Sequence, residues 1–272
     1  MHKIRKTGWA AILVMLLASA VTAAARDNKD VVSEESGVKY RAGLEHFKKR
    51  EYTKAIPFFK RAYELDERNI AALFAQGLAL NNTGGYAEAA KILKLVLVKE
   101  PGHVKALLLY PITLERSGQL NEALAAYDAG IKKKPKDYNF YWGKARVYIR
   151  KKDGEKAVAA LSKALDLQPD NLKIRSLLAQ TYADMGRMDD AAREARKVLE
   201  KDANRARARV IVADYLRMAG KYGEAMEEYT LAARTIETKA YAEHYIEVIR
   251  QKLEEIEIEE EWEARQKEKT GN

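Results

Sequence analysis

The chain reads as an all-α protein, an α-solenoid of six helix-turn-helix repeats closed by a C-terminal capping helix. Three observations lead there. Ala55, Ala89, Ala123, Ala157, Ala191 and Ala225 recur every 34 residues with no insertion or deletion between them. Gly84, Gly118, Gly186 and Gly220 keep the same period, each placed where a residue of positive φ would end the first helix of a unit without steric cost. Between these marks the apolar residues follow helical spacing, and nothing alternates as a strand would. A self-similarity of this length marks units that bury their apolar faces only against their neighbours.

The first 25 residues carry the three parts of a secretory signal. His2, Lys3, Arg5 and Lys6 form a basic start, residues 9–21 an apolar run, and Ala23, Ala24 and Ala25 a small-residue cleavage site. The run of about 13 residues falls short of the roughly 20 needed to cross a bilayer. The expectation is therefore export, with the mature chain periplasmic or secreted, and membrane contact only through this segment where it stays uncleaved. Cleavage after Ala25 would remove three of the 49 basic side chains and none of the 40 acidic ones, so the mature chain stays basic. Residues 26–35 are polar, lack helical spacing and read as a short linker.

Six units follow, at residues 36–69, 70–103, 104–137, 138–171, 172–205 and 206–239. Each is expected to hold two helices joined by a tight turn. Pro101, Pro135 and Pro169 recur at the end of second helices, where proline cannot continue the helix and starts the crossing to the next unit. Two other prolines differ. Pro57 lies near the start of a second helix, where its missing N–H is expected to be tolerated. Pro111 stands in the middle of a first helix, and a kink or local break is expected there.

Further columns share the register. A small column reads Gly43, Gly77, Pro111, Ala145, Ala179 and Ala213, and the residue three later is large: His46, Leu80, Leu114, Tyr148, Tyr182 or Leu216. After the alanine come Phe59, Leu93, Tyr127, Leu161, Ala195 and Tyr229, then Ala62, Val96, Gly130, Ala164, Val198 and Ala232. In these columns the chain resembles the tetratricopeptide repeat over about three quarters of its length. The resemblance implies a right-handed solenoid whose first helices line a concave surface that grips a peptide, a partner helix or a protein edge. Small side chains let paired helices approach while large ones fill the space between units, so the tyrosines on the packing period read as core. Some members of the family clamp a partner's C-terminal carboxylate with Lys and Asn on successive first helices. This chain has Tyr40, Leu44 and Ala75 at three of those places, and that function is not carried over.

Beyond residue 239 the repeat stops. Tyr241, Tyr245, Val248, Ile249, Leu253 and Ile256 keep helical spacing on one face, as a helix capping the last unit would. Residues 254–263 then hold seven glutamates, read as an exposed helix end or an interaction tail.

Chemistry is sparse. There is no cysteine, which excludes disulfides, thiolate metal sites and a cysteine nucleophile. No zinc-protease, nucleophile-elbow or phosphate-loop motif occurs, and the histidines are scattered over different units. The expectation is a protein that is not an enzyme and takes no cofactor and no metal. Its many carboxylates are expected to be solvated charges.

The expected activity is that of a scaffold binding a protein or peptide partner, within a cell-envelope assembly for secretion, pili or polysaccharide export. The alternative is a nonspecific binder of nucleic acid or another anionic polymer, suggested by the net charge of +9 and 15 tyrosines but disfavoured by export. First-helix residues that do not pack inward would line the groove. In the first two units these are Tyr40, Phe47, Phe74, Asn81 and Asn82. Lys105, Arg116, Asn139, Trp142, Arg146 and Arg150 follow in the next two, and Lys173, Arg207 and Arg217 in the last two. The first third of this surface is apolar and amide-rich and the remainder cationic, which predicts a partner with apolar anchors at one end and an acidic segment at the other. Trp142 and Arg146 are the expected anchors, since aromatic and arginine side chains dominate interface energetics.

Overall fold

The computed structural model describes residues 33–270, with side chains to Arg265. The expected secretory signal and most of the expected linker lie outside the described residues. The fold is all-α: thirteen helices, and no strand among the described residues. The chain divides between Ala126 and Tyr127 into two compact units.

The first unit holds α1 (residues 33–48), α2 (Tyr52–Leu65), α3 (Ile70–Asn82), α4 (Tyr86–Lys99), α5 (Val104–Arg116) and the start of α6 (Leu120–Lys133). The second holds the rest of α6, then α7 (Tyr138–Arg150), α8 (Gly154–Leu167), α9 (Leu172–Asp184), α10 (Met188–Lys201), α11 (Ala206–Met218), α12 (Tyr222–Ala232) and α13 (Ile236–Thr270). Helix α1 already includes residues 33–35, assigned from sequence to the linker. Ser36 explains why: its hydroxyl is buried and donates to the Ala62 carbonyl at 2.7 Å, tying this end of α1 to α2.

The alanine column is core throughout, with each of its six members fully buried. Its partners are large. A methyl group on Gly43 would sit 2.6 Å from the Phe59 ring, and one on Gly77 3.1 Å from Leu93, so the small column is small because α1 and α2, and α3 and α4, close to that separation.

Each first helix ends in the same turn. The N–H of Glu51, Gly85, Gln119, Asp153, Arg187 and Lys221 donates to the carbonyl five residues earlier at 2.9 or 3.0 Å, the six-to-one bond of a Schellman cap. The residue before each donor has positive φ. Four are the glycines of the sequence column, but the other two are Arg50 (φ 61°) and Lys152 (φ 57°). Repeat geometry here overrides residue preference.

Starts of first helices are also periodic. Asn69, His103, Asp137 and Asn171 each accept a backbone N–H of the first turn with the side chain, whereas Arg205, next in the column, provides no such cap. His103 is thus a helix cap through Nδ1, 3.1 Å from the Ala106 nitrogen.

The prolines depart from expectation. Helix α5 runs unbroken through Pro111, correcting the expected break. Pro111 is buried in the small column, and neighbouring packing carries the helix across one missing bond; two residues on, the Thr113 hydroxyl donates to the Leu109 carbonyl at 2.8 Å. Pro57 lies beyond the first turn of α2, which begins at Tyr52, so it does remove an internal bond. It is exposed, and the freed Thr53 carbonyl faces the side that water reaches.

Nor are all carboxylates solvated. Buried Glu194 on α10 accepts from Arg175 of α9 at 2.7 Å and from Lys197 at 2.8 Å, and Arg175 also donates to the Pro169 carbonyl at 2.6 Å. Burial works against the Glu194 charge, but the bonds from Lys197 and Arg175 outweigh it and hold its carboxyl below the usual range. One period later Arg209 makes the same pair of contacts with Glu228 and the Ala203 carbonyl.

Helix α13 packs on α11 and α12 through Ala242 and Ile249. It starts at Ile236, inside the stretch assigned by period to the sixth repeat.

Candidate partner-binding grooves

In the first unit Tyr40 and Phe47 of α1, Phe74 of α3 and Lys105 of α5 share one groove of about 260 Å³, completed by Leu78 and His103. The odd-numbered helices supply most of it, and Phe59 of α2 reaches it from below. The Phe47 ring meets Tyr52 edge-on at 4.9 Å, and the His103 ring, held by its capping bond, lies 4.6 Å from Phe74. The surface is aromatic, half-buried and cationic only at the Lys105 end.

Asn81, expected in the groove, is buried and lies 3.1 Å from the Thr113 hydroxyl of α5. It satisfies a core hydroxyl and is closed to a partner. Asn82 is exposed, and Arg116 lies over the Tyr86 ring at 5.7 Å; neither lines the groove.

The second unit has a wider groove of about 510 Å³, where Lys173 of α9 and Arg207 of α11 meet. Leu177, Ala179, Ala208 and Ile211 form an apolar floor, and Arg205 and Glu237 stand on the rim. Arg207 pairs with Glu237 from the first turn of α13. The Arg205 Nε donates to Asp202 at 2.7 Å. Lys173 has no carboxylate partner among the described residues.

Other residues named from sequence lie outside this groove. Asn139 donates to the Asp137 carboxylate at 2.8 Å, a local contact at the start of α7. Trp142 is half-buried against the core around Ala145, Leu161 and Ile174, with the Arg146 guanidinium 5.9 Å from its ring and the indole N–H buried without an acceptor among the described residues. Arg150 is exposed at the end of α7.

Arg217 belongs to the cap instead. It lies 4.5 Å from the centre of the Tyr245 ring of α13, and its Nε is 3.4 Å from the Tyr229 hydroxyl. Asp214 beside it accepts from Tyr229 and, at 3.0 Å, from Tyr241. Burial raises the Tyr229 phenol well above its usual range, and the neighbouring Asp214 raises it further. Helix α13 covers these residues in part, as another repeat would, and Arg217 lines a separate pocket of about 330 Å³ beside Tyr222 and Lys252.

Sequence reasoning missed Arg205 and Glu237. Arg205 was within reach, since it stands on the capping column two residues before Arg207. Glu237 was not, because the period puts it on the column of Pro101, Pro135 and Pro169, where a helix has ended, whereas the structure has it in the first turn of α13.

The chain is similar to known repeat proteins. Two family models described as Tetratricopeptide repeat match it, one over residues 40–104 and 112–171 and the other over 148–215. Among solved structures, MamA from Desulfovibrio magneticus RS-1 is 23% identical, with a TM-score of 0.58 over 63% of this chain and 97% of that one. A second MamA structure is 21% identical, with a TM-score of 0.58 over 64% and 94%. These likenesses bear on the fold. Anaphase-promoting complex subunit 3 of Schizosaccharomyces pombe is 25% identical over 143 residues, 53% of this chain but only 22% of that protein.

Proposed function

The chain belongs to the tetratricopeptide-repeat family, and from that premise we propose that it is an exported, non-catalytic scaffold that binds a protein partner through its grooves. One observation carries this reading: in each unit the odd-numbered helices leave an open groove with an apolar floor and cations at its edge. Such a surface suits an extended or helical segment with apolar anchors and acidic groups. The basic start, apolar run and triple alanine of residues 1–25 support a periplasmic or secreted location and a place in a cell-envelope assembly.

The test is crosslinking in intact cells, followed by recovery of the full chain and identification of what is attached. Phe74→Ala in one groove and Lys173→Glu with Arg207→Glu in the other should each lower the yield of the crosslinked partner. Lys163→Glu, on an exposed face of α8, should not. Equal recovery with all variants, each shown to be folded, would overturn the groove reading.

A further inference from the structure

We propose that the groove of the second unit receives the acidic end of α13 from a second copy of this chain. The inference rests on reading that groove as a protein-docking surface and names its occupant.

The end of α13 is an unpartnered amphipathic segment. Ile258 and Trp262 are 68% and 62% exposed. Four residues apart, they share one face of the helix, flanked by Glu254, Glu255 and Glu261. Among the described residues Glu254, Glu257 and Glu260 make no ion pair. An exposed tryptophan ringed by carboxylates is costly to leave in water and is the kind of side chain that anchors an interface.

The groove offers the complement. Its floor is apolar, its rim carries Lys173, Arg205 and Arg207, and its volume of about 510 Å³ accommodates large side chains. Lys173 awaits a carboxylate. Arg207 already holds one, from Glu237 on the first turn of α13, so this rim is seen to accept a glutamate presented by a helix.

Reach decides between the same chain and another. Helix α13 starts at the groove and continues unbroken to Thr270. Ile258 is therefore about 33 Å along the axis from Ile236, at about 1.5 Å per residue. A continuous helix cannot bring that end back to the groove at its own beginning, so the acidic segment can meet this groove only in a second copy. The contact joins unlike surfaces, tail to groove, and leaves one of each free on every pair. Association of this kind grows beyond a dimer unless the geometry closes a ring.

The experiment uses the purified full chain in sedimentation velocity over a concentration series. Wild type should associate with increasing concentration, and less so as salt rises, because attraction between exposed charges is screened beyond about 10 Å at 0.1 M. A tail variant, Ile258→Ser with Trp262→Ser, and a groove variant, Lys173→Glu with Arg207→Glu, should each weaken self-association at least about tenfold, the loss expected of interface anchors. Mixed together, they should form a one-to-one pair and nothing larger, since each keeps the half the other lacks. A wild type that stays monomeric to roughly 100 μM, association insensitive to both variants, or no pairing in the mixture would each overturn the proposal. The scaffold reading fails separately: a monomeric chain that still yields a groove-dependent crosslinked partner sinks self-docking alone, whereas self-association without any other partner sinks the scaffold reading alone.

Discussion

The Phe140 ring lies in the space that a methyl group on Gly130 would need. The two positions are ten apart, and the same offset recurs along the chain as Ala62 with Ala72, Val96 with Ala106, Ala164 with Ile174 and Val198 with Ala208, all buried. Four of these five pairs trade volume, and Ala62 with Ala72 is small on both sides. Where the first member is larger the second is alanine, and the one glycine meets the one ring. Gly130→Ala should therefore destabilise by about 1 to 3 kcal/mol through overpacking, and Phe140→Ala by about 3 kcal/mol or more through the cavity it leaves. Adding Gly130→Val to Phe140→Ala restores the composition of the Val96 and Ala106 pair and should recover part of that loss. Urea unfolding of these proteins checks this, and a double variant no more stable than Phe140→Ala alone would show that the pair does not compensate.

Arg50 and Lys152 hold the left-handed conformation that glycine takes at the four equivalent turns. Replacing either by glycine removes a steric cost of about 1 to 2 kcal/mol against a smaller loss from the freer unfolded chain, of about 0.4 to 1 kcal/mol. Arg50→Gly and Lys152→Gly should each raise the melting temperature slightly. Gly84→Ala should lower it.

The Arg175 and Glu194 pair links two helices with little access to water; its side chains are 18% and 10% exposed. Glu194→Ala leaves a buried guanidinium without its carboxylate and should cost about 2 kcal/mol. Glu64→Ala, on an exposed face with looser ion pairs, should change stability by less than about 0.5 kcal/mol. A double-mutant cycle with Arg175→Ala measures the coupling directly.

Asp66 accepts from the Arg68 guanidinium and backbone N–H and from the Ser33 hydroxyl. The Arg68 side-chain bond, with help from these others, holds its carboxyl well below the usual range despite partial desolvation. Because the folded value is depressed, the stabilisation is complete above the unfolded carboxylate value of about 3.9 and is lost as pH falls through the folded one. The stability gap between wild type and Asp66→Asn should be constant near neutrality and close below about pH 4. A gap that persists unchanged at pH 2 would contradict this origin.

The period itself determined much of this protein. The alanine column, the small column and the four turn glycines placed the helix pairs, because in a repeat fold each unit packs on its neighbours by the same local rules and the register carries those rules in one dimension. Tyr40, Phe47, Phe74 and Lys105 could be placed on one groove for that reason, and Lys173 and Arg207 on the other. Tertiary structure alone decided what breaks the period. It put Arg50 and Lys152 in a conformation their side chains disfavour, kept α5 whole through Pro111, buried Asn81 against Thr113, and withdrew Arg217 under α13. At Arg50 and Lys152 the repeated turn outweighed the preference of the single residue, and at Asn81 and Arg217 a contact between helices did; such contacts depend on which side chain stands opposite, a fact that no column of the sequence records.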